Sequence, residues 1–102
     1  MSRRQQLESM LAEMPHDTFL RYALAMELNS AQEHARSLEI FRGLIADDPP
    51  YVPAFFMSGK QLAQLDRLDE ASQVLSAGIE QARLQGDAHA AAEMSEFLAS
   101  LE

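Results

Sequence analysis

The stretch from Tyr51 to Asp87, YVPAFFMSGKQLAQLDRLDEASQVLSAGIEQARLQGD, decides the fold, because it reads as two helices joined by one tight turn at Asp66 and Arg67. The first helix starts near Tyr51. Pro53 is compatible with that start, since the N–H groups of a first helical turn have no intrahelical acceptor to lose. Gly59 lies inside this helix and lowers its propensity by about 1 kcal/mol relative to Ala, so its presence predicts a close approach by a second helix. The second helix is predicted over 68–85, with Leu68, Ala71, Leu75, Ala82 and Leu84 as its apolar positions and Gly86 as a left-handed C-cap.

The rest of the chain copies or flanks this pair. A shift of 34 residues places Leu7, Phe41 and Leu75 in one column and Leu11, Ile45 and Ile79 in another. Leu28 then meets Leu62, Tyr22 meets Phe56, Ala25 meets Gly59 and Pro15 meets Pro49. A fixed period of this length means one supersecondary unit used repeatedly. The second copy offers Phe55, Ser58, Gly59, Leu62, Ala71 and Leu75 to the pattern W-x2-L-G-x2-Y…A-x3-F…P, and the first offers Arg21, Leu24, Ala25, Leu28, Ser37, Phe41 and Pro49. On these residues, over 18–85, the chain resembles the tetratricopeptide repeat family, and small free-standing bacterial members in particular. It departs from the pattern in having no Trp, Leu in place of Tyr, and Arg21 at a large apolar position.

The resemblance implies an all-α fold of helical-hairpin repeats, an α-α superhelix of about six helices. Residues 1–102 read as a single domain: an N-terminal capping helix over 1–15, repeat 1 over 16–50, repeat 2 over 51–86 and a C-terminal capping helix over 87–102. In the first cap, Leu7, Met10, Leu11 and Met14 recur at helical spacing and form one stripe, which Pro15 ends. The cap occupies a second-helix position and is expected to cover the apolar face of repeat 1, as the ends of repeat arrays require.

Asp17 or Thr18 is the expected N-cap of the next helix, which runs to about Asn29. Leu20, Leu24 and Leu28 share one side of it, and Phe19, Tyr22 and Met26 share nearly the opposite side. A helix apolar on two sides is sandwiched or lines a groove. Gln32 stands in the following turn where the resembled family favours Gly. The partner helix over 34–46 carries Leu38, Phe41, Leu44 and Ile45, and Pro49 and Pro50 stop it. The last helix fits a shift of 36 residues better than 34, with Ala90 on Ala54, Ser95 on Gly59, Leu98 on Leu62 and Leu101 on Leu65. Two residues are therefore expected to be added before Gly86, with Met94, Leu98 and Leu101 packing inward.

A domain of this length buries about 65% of its unfolded surface and needs no covalent staples. The chain has no cysteine, which excludes disulfides and thiolate metal sites and fits a reducing compartment. It has no apolar run long enough for a membrane span, and SRRQQLESM lacks the apolar centre of a signal peptide, so a cytoplasmic location is expected. The net charge is -8, with Lys60 the single lysine. A surface so acidic argues against nucleic acid and anionic membranes as partners.

No chemistry-bearing motif stands out. His16, His34 and His89 lie outside any HExxH pattern, and His89 with Glu93 supplies only two of the three or four ligands a metal needs. GxxxxGK[ST], GxGxxG and GxSxG are absent. No catalytic residue, cofactor or metal site is expected, and the chain reads as a non-enzymatic binder of a protein or peptide. The resemblance implies that the concave face, lined by each first helix, is the binding groove. Carried over, that face holds Phe19, Tyr22, Met26, Asn29 and Ser30 in repeat 1. In repeat 2 it holds Pro53, Phe56, Lys60, Ala63 and Gln64, and on the last helix His89, Ala92, Glu96, Ala99 and Ser100. Lys60 is expected to stand beside Glu96. Relatives that clamp a peptide's terminal carboxylate carry lysine and asparagine where this chain has Tyr22 and Met26, so that ligand is not implied. The alternative reading is self-association, possible homodimerisation, with the last helix stacking on a second copy.

Overall fold

Helix starts and stops follow local capping chemistry. Asp17 accepts a hydrogen bond from the Leu20 N–H at 2.8 Å, and Asp87 accepts one from Ala90 at 3.1 Å. Three helices each end in a left-handed residue: Gln32 (φ 65°), Asp66 (φ 60°) and Gly86 (φ 78°). In each, the next residue's N–H reaches back five positions, Glu33 to Leu28 at 2.9 Å, Arg67 to Leu62 at 2.9 Å and Asp87 to Ala82 at 2.7 Å. This double-bonded stop satisfies carbonyls that the helix leaves open. A computed structural model describes residues 1–102, and the chain is all-helical: α1 (Arg3–Glu13), α2 (Thr18–Ser30), α3 (His34–Ala46), α4 (Val52–Gln64), α5 (Leu68–Leu84) and α6 (Ala88–Ser100). The helices fall into two compact units, Met1–Pro49 and Pro50–Glu102.

In the first unit α1 opens with a reciprocal cap. The Gln5 N–H donates to Ser2 Oγ at 3.2 Å, and the Ser2 N–H donates to Gln5 Oε1 at 3.0 Å. Leu7 is the buried residue of α1; it joins Leu20, Leu24 and Leu28 of α2, with Leu11 packed alongside. The expected four-residue stripe is narrower than its spacing implies, since Met10 and Met14 stay 41% and 51% exposed. A cap whose main packing partner is the single helix α2 covers a thin strip of itself. Charge supplements the apolar contact. Arg3 pairs with Glu27 at 3.5 Å, Arg4 bonds Glu8 and Glu33, and Arg36 lies 3.8 Å from Glu8. The hydrogen bond to Glu8, joined by the charge of Glu33, holds the Arg4 guanidinium above its ordinary pKa. Exposed pairs of this kind contribute at most about 1 kcal/mol each.

α2 and α3 close the first hairpin around Leu38, Phe41 and Leu44. The Ser37 hydroxyl donates to the carbonyl of Ala25 at 2.6 Å, tying the two helices together where both residues are buried. Arg21, anomalous as a sequence position, donates to Asp47 through its two terminal guanidinium nitrogens at 2.7 and 3.4 Å. Its guanidinium also occupies the space beside Gly43, where a Cβ would lie 3.1 Å from Nη2.

In the second unit α4 and α5 pack as the sequence predicts, with Leu75 lying on Gly59: a Cβ at Gly59 would fall 2.6 Å from Leu75 Cδ2 and 2.7 Å from Cγ. A second close approach, not foreseen, occurs at Gly78, where a Cβ would meet Phe55 Cβ at 2.5 Å and Met94 Sδ at 2.7 Å. Met94 and Ala91 of α6 are buried, whereas Leu98 and Leu101 are only half-buried. The change of register is visible in the N-caps, which fall at Asp17, Tyr51 and Asp87. α5 ends at Leu84, whereas α3 ends at Ala46, 38 positions earlier. The two added residues are thus the balance of a helix four residues longer, 17 against 13, and a connection two residues shorter.

Gly59→Leu should destabilise the protein by about 1 to 3 kcal/mol despite its better helix propensity, because the added atoms must displace Leu75. Gly78→Ala should also destabilise, since the Cβ of Phe55 is fixed to the backbone and cannot swing away. Urea unfolding followed by circular dichroism checks both signs; a raised midpoint for either variant would mean the helices are further apart.

Candidate functional site

The exposed faces of α2, α4 and α6 carry the residues singled out by sequence. On α2, Leu20, Leu24, Ala25 and Leu28 turn to the core, while Phe19 and Met26 face outward. Phe19 is 70% exposed and Met26 38% exposed. Tyr22 is half-buried, its ring edge-on to Phe41 with centroids 6.0 Å apart. These residues line a shallow depression of about 340 Å³ with Arg3, Ala23, Glu27 and Ser30. Its rim charges cancel, because Arg3 and Glu27 form an ion pair at 3.5 Å. Asn29 belongs elsewhere: its carboxamide faces the His34 ring nitrogen at 3.0 Å and closes the turn into α3.

In the second unit Phe56 meets Phe97 of α6 edge to face, with centroids 5.9 Å apart and planes at 65°. The Lys60 ammonium lies over the Phe56 ring, 4.1 Å from its centre. An i,i+4 spacing on one helix brings them together, and the ring quadrupole attracts the cation. Lys60 therefore stands on Phe56 and forms no ion pair with Glu96. Phe56, Phe97, Glu93, Glu96 and Ser100 line a depression of about 310 Å³. His89 is well exposed and contacts Glu93 at 3.2 Å, one turn along α6. Gln64, the last residue of α4, is exposed and lies outside this depression. Pro53, Ala92 and Ala99 are likewise exposed, and Ala63 is half-buried.

The sequence assigns these residues to one concave face; in the structure Phe19, Tyr22 and Met26 line one depression and Phe56, Glu96 and Ser100 line another, together with Phe97 and Glu93, which are not among the carried-over positions. Phe97 stands 36 residues after Gln61, a buried polar position in α4, so transfer between repeats passed over it. The spacing of His89, Glu93, Phe97 and Ser100 along α6 was the available signal, since residues three and four apart share a helix face. No group of three His, Asp or Glu side chains converges as a metal site would require.

Comparison with solved structures finds related folds in two bacteria. The chain matches the solution structure of a tetratricopeptide repeat domain protein from Salinibacter ruber with a TM-score of 0.81, at 36% identity over 86% of this chain and 89% of that one. The crystal structure of the Salinibacter protein matches with a TM-score of 0.75, at 35% identity over 84% of this chain and 96% of that one. The solution structure of a protein from Bordetella parapertussis matches with a TM-score of 0.83, at 27% identity over 99% of this chain and 88% of that one. No family model and no curated protein matches the chain.

The two surfaces should respond differently to truncation. Phe19→Ser should change stability by less than about 0.5 kcal/mol, because little of that ring is buried. Phe97→Ala should cost about 1 to 2 kcal/mol through loss of the ring pair and its share of burial. Thermal unfolding of the two variants side by side checks this; an equal loss for both would place Phe19 in the core.

Proposed function

The chain belongs to the tetratricopeptide repeat family, and from that premise we propose that it is a non-enzymatic adaptor that binds a protein or peptide on the outward faces of α2, α4 and α6. The fold is that of a helical-repeat interaction module, and the finer reading concerns which surface is used. The observation that carries it is the second apolar side of α2. Phe19 and Met26 remain in water although the opposite side of the same helix already supplies Leu20, Leu24 and Leu28 to the core. Clustered exposed apolar residues with polar neighbours are the usual mark of an interaction surface. Phe56 and Phe97 supply the corresponding anchor in the second unit.

The proposed binding surfaces are Phe19, Tyr22 and Met26 on the first unit and, separately, Phe56, Lys60 and Glu96 on the second, with Asn29, Gln64 and His89 on the same helices. Tyr22 and Met26 offer no cationic clamp for a terminal carboxylate, so an apolar segment is the better-suited ligand. A net charge of -8 opposes contact with phosphates, and no helix is long and apolar enough to cross a membrane. A cysteine-free chain suits the reducing cytoplasm.

Self-association is a second reading, favoured by the half-buried Leu98 and Leu101 of α6 and opposed by the like charges of Glu93, Glu96 and Glu102 on the same helix and its end. Size measurement on dilute protein separates the two: a monomer supports the adaptor, and a dimer supports assembly.

Affinity capture from native lysate tests the surface directly. Aromatic anchors dominate interfaces of this kind, so Phe56→Ala should weaken partner binding by about 2 kcal/mol or more. The double variant Phe19→Ser with Met26→Ser should lose the partner while unfolding at nearly the wild-type temperature. Undiminished capture by both folded baits would move the binding site off these faces.

A further inference from the structure

The two depressions differ in their charge, and the difference bears on what each accepts. On α2 the rim is neutralised by the Arg3–Glu27 pair. Around Phe56 and Phe97 it is anionic: Glu93 lies 3.2 Å from Nε2 of the exposed His89, and Glu96 forms no ion pair. The nearest cation, Lys60, is already engaged with the Phe56 ring. Aromatic rings flanked by carboxylates favour one class of side chain. The ring quadrupole attracts a cation at its face, a carboxylate adds a charge-assisted hydrogen bond, and the methylene stem of arginine or lysine covers the remaining apolar surface.

We propose that the depression formed by Phe56, Phe97, Glu93, Glu96 and Ser100 seats the cationic side chain of an arginine- or lysine-bearing partner segment. Charge complementarity selects this occupant: the chain carries a net charge of -8, and the rim of this depression is anionic. The Ser100 hydroxyl donates to the Phe97 carbonyl at 2.6 Å, so it contributes to shape while Glu96 supplies the acceptor. Lys60 acts as a nearby like charge that tempers the attraction. This inference rests on the protein-binding reading above and specifies the partner's chemistry at one of its anchors.

The test uses the full chain and two blocked, fluorescein-labelled alanine-leucine helical peptides, one carrying arginine and the other citrulline, its neutral near-isostere, at the same positions. Anisotropy gives affinity, and amide shifts give location. The arginine peptide should bind about fivefold more tightly than the citrulline peptide, with shifts centred on Phe56, Glu93, Glu96, Phe97 and Ser100, and should lose this advantage at about 0.5 M salt. Glu96→Gln should weaken the arginine peptide about fivefold and leave the citrulline peptide unchanged, whereas Lys60→Met should strengthen the arginine peptide about twofold. Glu96 is exposed and Lys60 half-buried, so circular dichroism of both variants checks folding before the peptides are added. Equal binding of both peptides in this depression would overturn the cation preference and leave the protein-binding reading intact. Shifts confined to Phe19 and Met26, or no binding by the arginine peptide, would overturn the assignment, while capture from lysate judges the adaptor reading independently.

Discussion

Two helices can pair only as closely as the residues at their contact allow, and in this chain that contact is built around Ala25 and Gly59. They stand 34 residues apart, both are buried, and each is a small residue on the first helix of its hairpin. At Ala25 the neighbour is the Ser37 hydroxyl, which bonds the carbonyl at 2.6 Å; at Gly59 it is the Leu75 side chain, which fills the place of a Cβ. Helix axes brought together by small residues let the flanking leucines interlock, and the dense packing that results carries most of the stability. The left-handed stops at Gln32 and Asp66 follow from the same demand, because a short connection must return the chain before the helices diverge.

Much of this was legible because repetition doubles the evidence for each position. The 34-residue columns, the proline stop after α3 and the close approach at Gly59 could be read from residue type and spacing alone. The longer α5 was legible as a register change. Its detail was not, since a sequence shift reports the sum of helix and loop lengths and cannot divide it between them. Gly78 escaped because its counterpart in the first repeat is Leu44, so no column of small residues marked it. There the close approach serves Phe55 and Met94, a packing particular to the second unit. Arg21 read as a defect in an apolar position, but its guanidinium finds Asp47 and lies over Gly43, a polar solution that pattern matching cannot see.

The candidate surface was legible on α2, where two apolar sides on one helix leave one side for something other than the core. It was less legible on α6. A helix rich in alanine has few large side chains to mark its faces, and Phe97 fell outside the positions carried over from the repeat. Lys60 shows the limit of pairing charges by register: a cation one helical turn from an aromatic ring finds it before it finds a carboxylate on another helix. The surface chemistry that results is neutral and apolar beside α2, and aromatic and acidic beside α6.

The most direct measurement is a nuclear Overhauser spectrum of the labelled protein, read for contacts between the α-protons of Gly59 and the methyl groups of Leu75. With a Cβ position on Gly59 only 2.6 Å from Leu75 Cδ2, those contacts should be among the strongest between α4 and α5, accompanied by contacts from Gly78 α-protons to the Phe55 ring. Their absence, with the Leu75 methyls contacting other α4 residues instead, would contradict both the register and the close helix pairing on which the structure depends.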